Sequence, residues 1–249
     1  MKREYFDTHA HYDEPVYDAD REAFLKSLAD AGVREVINPS YDPASMERVQ
    51  RIAAEYPIIK PAYGFHPQYV YDLTEKDWDR LSELLHASQT VALGECGLDY
   101  RGLKPAAENM EKINTQKEAF KRQLDMAAEM TVFNTASRLF EGRGIPVIVH
   151  SVAAAEDTIE ILSQYPQLGG VIHGFSYSAE MALRFVKLGW RIGIGTSVLR
   201  SDAKKIKEVI AKVPSEMLVT ETDAPFLTPP GRDEKDPYLI ADIAASAGL

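Results

Sequence analysis

Residues 3–13 read REYFDTHAHYD, and the rest of the chain is organised around them. The aromatic pair Tyr5-Phe6 has strand character and leads directly into Thr8-His9-Ala10-His11. Side chains two apart in an extended chain share a face, so His9 and His11 project together from one end of the strand. With Asp7 and Asp13 alongside, two neutral imidazoles make half of a metal site that needs ligands from elsewhere. A histidine pair packed beneath a loop is the competing reading. The metal reading is favoured because single His, Glu and Asp residues recur at the end of one predicted strand after another.

Moving outward, residues 19–31 form a predicted helix with Phe24, Leu25 and Leu28 on its apolar side and Gly32 as its stop. A short strand over 33–38, a helix over 44–56 and a strand over 58–63 follow, the last leading into Gly64-Phe65-His66-Pro67. Thr74, with Asp77 three residues on, opens a helix running to about residue 87. The strand over 91–94 ends at Glu95. A long helical pattern begins near Lys112, with Phe120, Leu124 and Ala128 spaced by four, and extends towards Phe140. Strands over 146–149, 170–172, 191–195 and 218–220 alternate with helices over 154–163, 179–187 and 202–212. Asp236-Pro237 opens a short last helix through Ile243.

Eight strand–helix units with no linker and no low-complexity segment imply parallel strands in one domain spanning residues 1–249. The α/β class that fits is a closed (β/α)8 TIM-type barrel. A doubly wound open sheet is the competitor, but no glycine-rich loop follows the first strand. The polar strand ends are also spread through the whole chain; a barrel gathers such ends into one ring, and an open sheet separates most of them.

Lys and Arg total 28 against 38 Asp and Glu, a formal net charge of -10, which argues against a broad basic surface for nucleic acid. A nuclease stays open, because bound metal ions can make a small area positive. The one cysteine, Cys96, rules out an internal disulfide and suits a reducing compartment. Neither a leading apolar run nor 18 consecutive apolar residues is present, so neither a signal peptide nor a membrane span is expected, and the expected setting is the cytoplasm.

The strand-end set is His9, His11, His66, Glu95, His150, His173 and Asp223, while the sixth histidine, His86, falls on a helix. That is more than one structural zinc site uses, and it suits two adjacent divalent metals sharing a carboxylate. Imidazolium groups cannot be packed so densely in a buried cleft, so the cluster requires metal or wide separation. Asp99, Tyr100 and Glu221 are candidates for supporting roles, and Tyr69, Tyr71, Phe175 and Phe226 for stacking on bases or for loop packing. Cys96, Trp78 and Trp190 read as packing residues.

Asp7-Thr8-His9-Ala10-His11, Gly64-Phe65-His66-Pro67, Gly94-Glu95-Cys96-Gly97-Leu98-Asp99-Tyr100, His173-Gly174-Phe175-Ser176 and Glu221-Thr222-Asp223-Ala224-Pro225 together resemble the TatD family of metal-dependent deoxyribonucleases, within the amidohydrolase superfamily. The resemblance covers nearly the whole chain in order. It implies a TIM-type barrel with two divalent ions (zinc, magnesium or manganese) and action on DNA ends. By the same resemblance His9, His11 and Asp223 hold the first metal, Glu95 bridges, and His150 and His173 complete the second. His66 then contacts a substrate phosphate, and Asp223 accepts a proton from the attacking water and passes it to the leaving oxygen.

Three places depart from the family pattern. Val152 and Ala153 stand where members carry an arginine and an acidic residue, which removes a bidentate phosphate partner. Residues 131–144 make a longer connection than usual, and Gly231-Arg232-Asp233-Glu234-Lys235 only approximates an arginine-asparagine-glutamate-proline motif. The closing helix is expected to be incomplete. DNA is therefore the expected substrate, with a small phosphoester or ester, lactone or amide as the alternative from the same metal chemistry. The expected assembly is a monomer or weak oligomer.

Overall fold

In the computed structural model the strands β1 (Tyr5–Asp7), β2 (Val33–Pro39), β3 (Ile59–Tyr63), β4 (Ala92–Asp99), β5 (Val147–Val152), β6 (Gly170–Ile172), β7 (Arg191–Ile194) and β8 (Leu218–Thr220) pair in chain order, and all neighbours are parallel. The structure describes residues 3–103, 107–130 and 144–249. Thr8 N–H donates to Thr220 O at 3.1 Å and Asp223 N–H to His9 O at 2.8 Å, which draws β8 against β1. The sheet thereby curls into the (β/α)8 barrel expected from the sequence. Helices α1 (Arg21–Ala31), α2 (Pro43–Glu55), α3 (Glu75–Leu85), α4 (Ala107–Glu129), α5 (Ala155–Leu162), α6 (Ala179–Lys187), α7 (Lys204–Lys212) and α8 (Leu239–Ala247) lie between and after the strands.

Local chemistry sets these boundaries. α1 buries Phe24, Leu25, Leu28 and Ala31, a helical repeat, and stops at Gly32, whose φ of 105° suits a residue without a Cβ. α2 and α3 open on reciprocal caps, Asp42 with Ser45 and Thr74 with Asp77. Ile37, Ala62, Val91, Ala92, Ile148, Val171 and Val219 form one buried cluster on the strands, and larger clusters fill the space between strands and helices. Each fully buried Leu, Ile or Phe side chain there contributes about 1.5–3 kcal/mol. No helix among the described residues is long and apolar enough to cross a membrane.

Several boundaries differ from the sequence reading. β4 continues five residues past its expected end, with all eight of its residues buried. Gly94 and Gly97 are close-approach points within it, and the pairing register shifts between Leu93 and Cys96. β1 ends at Asp7, so His9 and His11 lie just beyond it rather than within it. α4 starts five residues earlier than expected, and its suggested extension towards Phe140 lies outside the described residues, as does most of the 131–144 connection. Asp236 forms a turn, accepting from the backbone N–H groups of Tyr238 and Leu239, so the last helix begins at Leu239 instead.

Candidate metal centre

Glu95 sits at the middle of the strand-end ring and is 4 % exposed. Its Oε2 lies 3.3 Å from His9 Nε2 and 3.7 Å from His11 Nε2. Its Oε1 lies 2.7 Å from both His150 Nδ1 and His173 Nε2, and 3.8 Å from His66 Nε2. Asp223 Oδ1 is 3.6 Å from the Nε2 atoms of His9 and His11. The two oxygens of one carboxylate thus face two groups of imidazoles. Three sets could hold an ion, each with its ligand atoms within 4.8 Å of one another: His9 with His11 and Asp223, His9 with Glu95 and His173, and, sharing no residue with these, His66 with Asp99 and His150. All seven strand-end residues singled out from the sequence meet here.

The backbone explains the convergence. Asp223 N–H donates to His9 O and His11 N–H to Ala224 O, both at 2.8 Å, so residues from the two ends of the chain are fixed to each other. Asp223 has φ 55°, a left-handed conformation that Asp tolerates better than most residues. Glu95 N–H donates to Ser40 O at 3.0 Å. Gly97, with φ 138°, lets β4 and β5 come together: a Cβ there would stand 2.0 Å from His150 O. His66 caps a short turn and accepts the Gln68 backbone N–H on Nδ1 at 3.1 Å. Burial lowers the His66 pKa to about 3, so the ring is neutral. A neutral ring that accepts on Nδ1 carries its proton on Nε2, the atom nearest Glu95.

The surroundings separate the supporting residues. Asp99 accepts from Arg101 Nε and Nη2 and from Gln68 Nε2, and its Oδ2 lies 3.3 Å from His150 Nε2. Burial opposes its charge, but His150 and Arg101 hold the carboxyl well below the usual range. Glu221 accepts the Gly174 N–H and lies 3.9 Å from His173 Nδ1, in space that Gly193 leaves open. Burial pushes its carboxyl up to about 7. Asp7 and Asp13, flanking the histidine pair in sequence, do not join the cluster. Asp7 accepts from the Thr222 hydroxyl at 2.7 Å, and Asp13 pairs with Asn38 and Arg48.

The centre favours positive charge. Burial works against an ionised Glu95, yet His173 and His9 hold its carboxyl well below the ordinary value. Burial would likewise lower His173, but Glu95, Glu221 and Asp223 raise it to about 10. His9, by contrast, is kept neutral by burial and by the neighbouring His173. Nδ1 of His9, His11 and His173 has no hydrogen-bond partner among the described residues. With a divalent cation in place of the proton that Glu95 holds on His173, these imidazole and carboxylate donors suit zinc, manganese or other borderline ions.

A cleft of about 580 Å³ opens over the cluster. Tyr69 and Phe226, 48 % and 56 % exposed, stand at its edge. Phe226 packs edge-on to His11 at 5.0 Å, and Tyr69 lies 5.2 Å from Tyr41. Tyr71 bonds to Gln116, while Phe175 is buried against Phe185 and Tyr177 and cannot reach a ligand. Tyr100 donates to Asp157, away from Glu95. Cys96, Trp78 and Trp190 are core residues, and His86 bonds to Ser82 O on the surface. Glu14 and Arg101 also line the cleft and were not singled out in the sequence. Arg101 follows the unexpected extension of β4, so its place became visible only with the fold.

The comparisons with known proteins agree with this geometry. An uncharacterized metal-dependent hydrolase of Bacillus subtilis is 34 % identical over 243 residues, 96 % of this chain and 88 % of the relative. A protein of a Pantoea species named as a 3'-5' ssDNA/RNA exonuclease is 28 % identical over 92 % of this chain and 85 % of its own length. The crystal structure of the TatD homologue YjjV of Escherichia coli superposes with a TM-score of 0.82 at 30 % identity, covering 99 % of this chain and 91 % of that one. The family model of TatD related DNases matches residues 6–247, and the chain belongs to that family.

Proposed function

We propose that this protein is a phosphodiesterase acting on nucleic-acid ends, a deoxyribonuclease of exonuclease character with two divalent ions. The observation that carries the reading is the division of the imidazoles between the two oxygens of Glu95. His9, His11 and Asp223 would hold one ion, His150 and His173 the other, and Glu95 both. Such ions, zinc, magnesium or manganese, supply charge neutralisation at phosphate and a more acidic water. The chain's residues do the rest. Asp223, whose pKa is raised by burial, accepts the proton of the attacking water and returns it to the leaving oxygen. His66 presents Nε2–H to a non-bridging phosphate oxygen. Tyr69 and Phe226 offer ring faces to unpaired bases, which are sequence-tolerant contacts. The Pantoea relative's name supports a single-stranded substrate. The buried lone thiol of Cys96 fits a reducing cytoplasm, and the whole barrel serves as one catalytic domain, as a monomer or weak oligomer.

A second reading is a small uncharged ester, lactone or amide. In its favour, Val152 presents an apolar side chain to the cleft. The deciding experiment is degradation of end-labelled single-stranded DNA by metal-reconstituted protein, beside Glu95→Ala and a panel of esters and lactones. Metal-dependent release of label that is lost in Glu95→Ala is the expected result. Turnover of a neutral ester without DNA cleavage would move the function to the second reading.

A further inference from the structure

Resting on the phosphodiester reading, we propose that Arg101 is the substrate-phosphate residue of this cleft and selects anionic over neutral substrates. Among the described residues lining the cleft it is the one lysine or arginine. An anionic chain entering a protein of net charge -10 needs a fixed cation close to the reacting atoms. Val152, opposite Asp99 in the β4–β5 register, offers none.

Arg101 is built for the task. It sits in a tight turn directly after β4, where Leu103 N–H donates to Tyr100 O at 3.0 Å and Tyr100 N–H donates to Val152 O at 2.9 Å. Its own N–H donates to Asp99 Oδ1 at 2.9 Å, which fixes the backbone before the side chain is considered. Its Nε donates to both Asp99 oxygens, at 3.1 and 2.9 Å, and Nη2 donates to Oδ2. Those bonds occupy one edge of the planar guanidinium and leave the Nη1 edge unused by them. The side chain is 59 % exposed, so that edge is accessible to solvent and to a ligand. A fork held in orientation by a carboxylate loses little entropy on gripping a second oxyanion, and phosphate matches its geometry. Asp99 in turn lies 3.3 Å from His150 Nε2, so the phosphate-facing cation is one carboxylate away from an imidazole at the centre. Arg101 therefore places a phosphate beside the cluster rather than at a remote surface.

The test is steady-state cleavage of end-labelled oligothymidylate at several salt concentrations, with metal content by atomic emission, for the unaltered protein, Arg101→Gln and Arg101→Lys. For Arg101→Gln, KM should rise roughly 10- to 100-fold with kcat within about threefold, the loss of a charged hydrogen-bond pair. Metal content should stay full. The dependence of log(kcat/KM) on log salt should become shallower by about 0.7, one phosphate contact on a single strand. Arg101→Lys should keep the salt slope while recovering only part of KM, because ammonium lacks the fork. An unchanged KM and salt slope at full metal content would overturn the inference. So would loss of metal with KM unchanged, which would make Arg101 only a counter-ion for Asp99. If the unaltered protein cleaves no oligonucleotide, the phosphodiester reading itself fails and takes this inference with it.

Discussion

On the Oε2 side of Glu95 the rings are fixed by packing. His9 stacks on His173 with centroids 3.9 Å apart and planes 9° apart, and His11 meets Phe226 and Tyr41 edge-on at 5.0 and 5.8 Å. On the Oε1 side, His150 also meets a ring, His66 at 4.3 Å, but both its nitrogens have polar contacts, which Nδ1 of His9 and of His11 lacks among the described residues. Asp99 stands behind His150, itself gripped by Arg101 and Gln68. Packing spreads its constraint over many weak contacts, so one neighbour can be lost at modest cost. A hydrogen-bonded relay concentrates the constraint in a few charged atoms, where one lost partner leaves another unsatisfied. One carboxylate therefore joins a robust half to a fragile one.

The largest effect should come from Glu95→Gln, which belongs to both halves. Activity should fall about 10³-fold, several kcal/mol of lost charge stabilisation, with metal content reduced on both sides. Retention of full metal by this variant would show that the halves do not share Glu95. Next, Asp99→Asn should weaken one metal-binding step about 10- to 100-fold and leave the other intact, measured by competition with a coloured chelator. Equal weakening of both steps would erase the contrast between the sides. Phe226→Ala should raise KM for single-stranded DNA roughly tenfold through lost base stacking, while metal binding at His9 and His11 changes little. A large metal loss in that variant would mean that a single packing contact carries the first half. Smallest of all, His86→Gln should leave metal content and turnover unchanged, since that ring bonds to Ser82 O on the helix surface, away from the cluster.

These contrasts were unequally visible in the sequence. A polar, ligating side chain at the end of an apolar run conflicts with core formation, so His66, Glu95, His150, His173 and Asp223 stood out one by one. The eightfold alternation of strands and helices then supplied the barrel that joins them. Side-chain direction was not legible. Asp7 and Asp13 have the right chemistry beside His9 and His11, yet Thr222 and Arg48 respectively claim them. The length of β4 was not legible either: Gly94 and Gly97 interrupt its apolar run, yet both lie inside the strand and admit close backbone contact with β5. Ending the strand near Glu95 hid the extension to Asp99 and the turn that carries Arg101.

The pairing of Asp223 with His9 has a consequence for how the chain is made. Synthesis delivers His9 more than two hundred residues before Asp223, and the backbone bond between them closes the barrel seam. A nascent chain that has not yet extruded its eighth strand lacks the Asp223 carboxylate beside His9 and His11. The two sides of the candidate centre therefore come together only once the eighth strand has been made and has docked on the first.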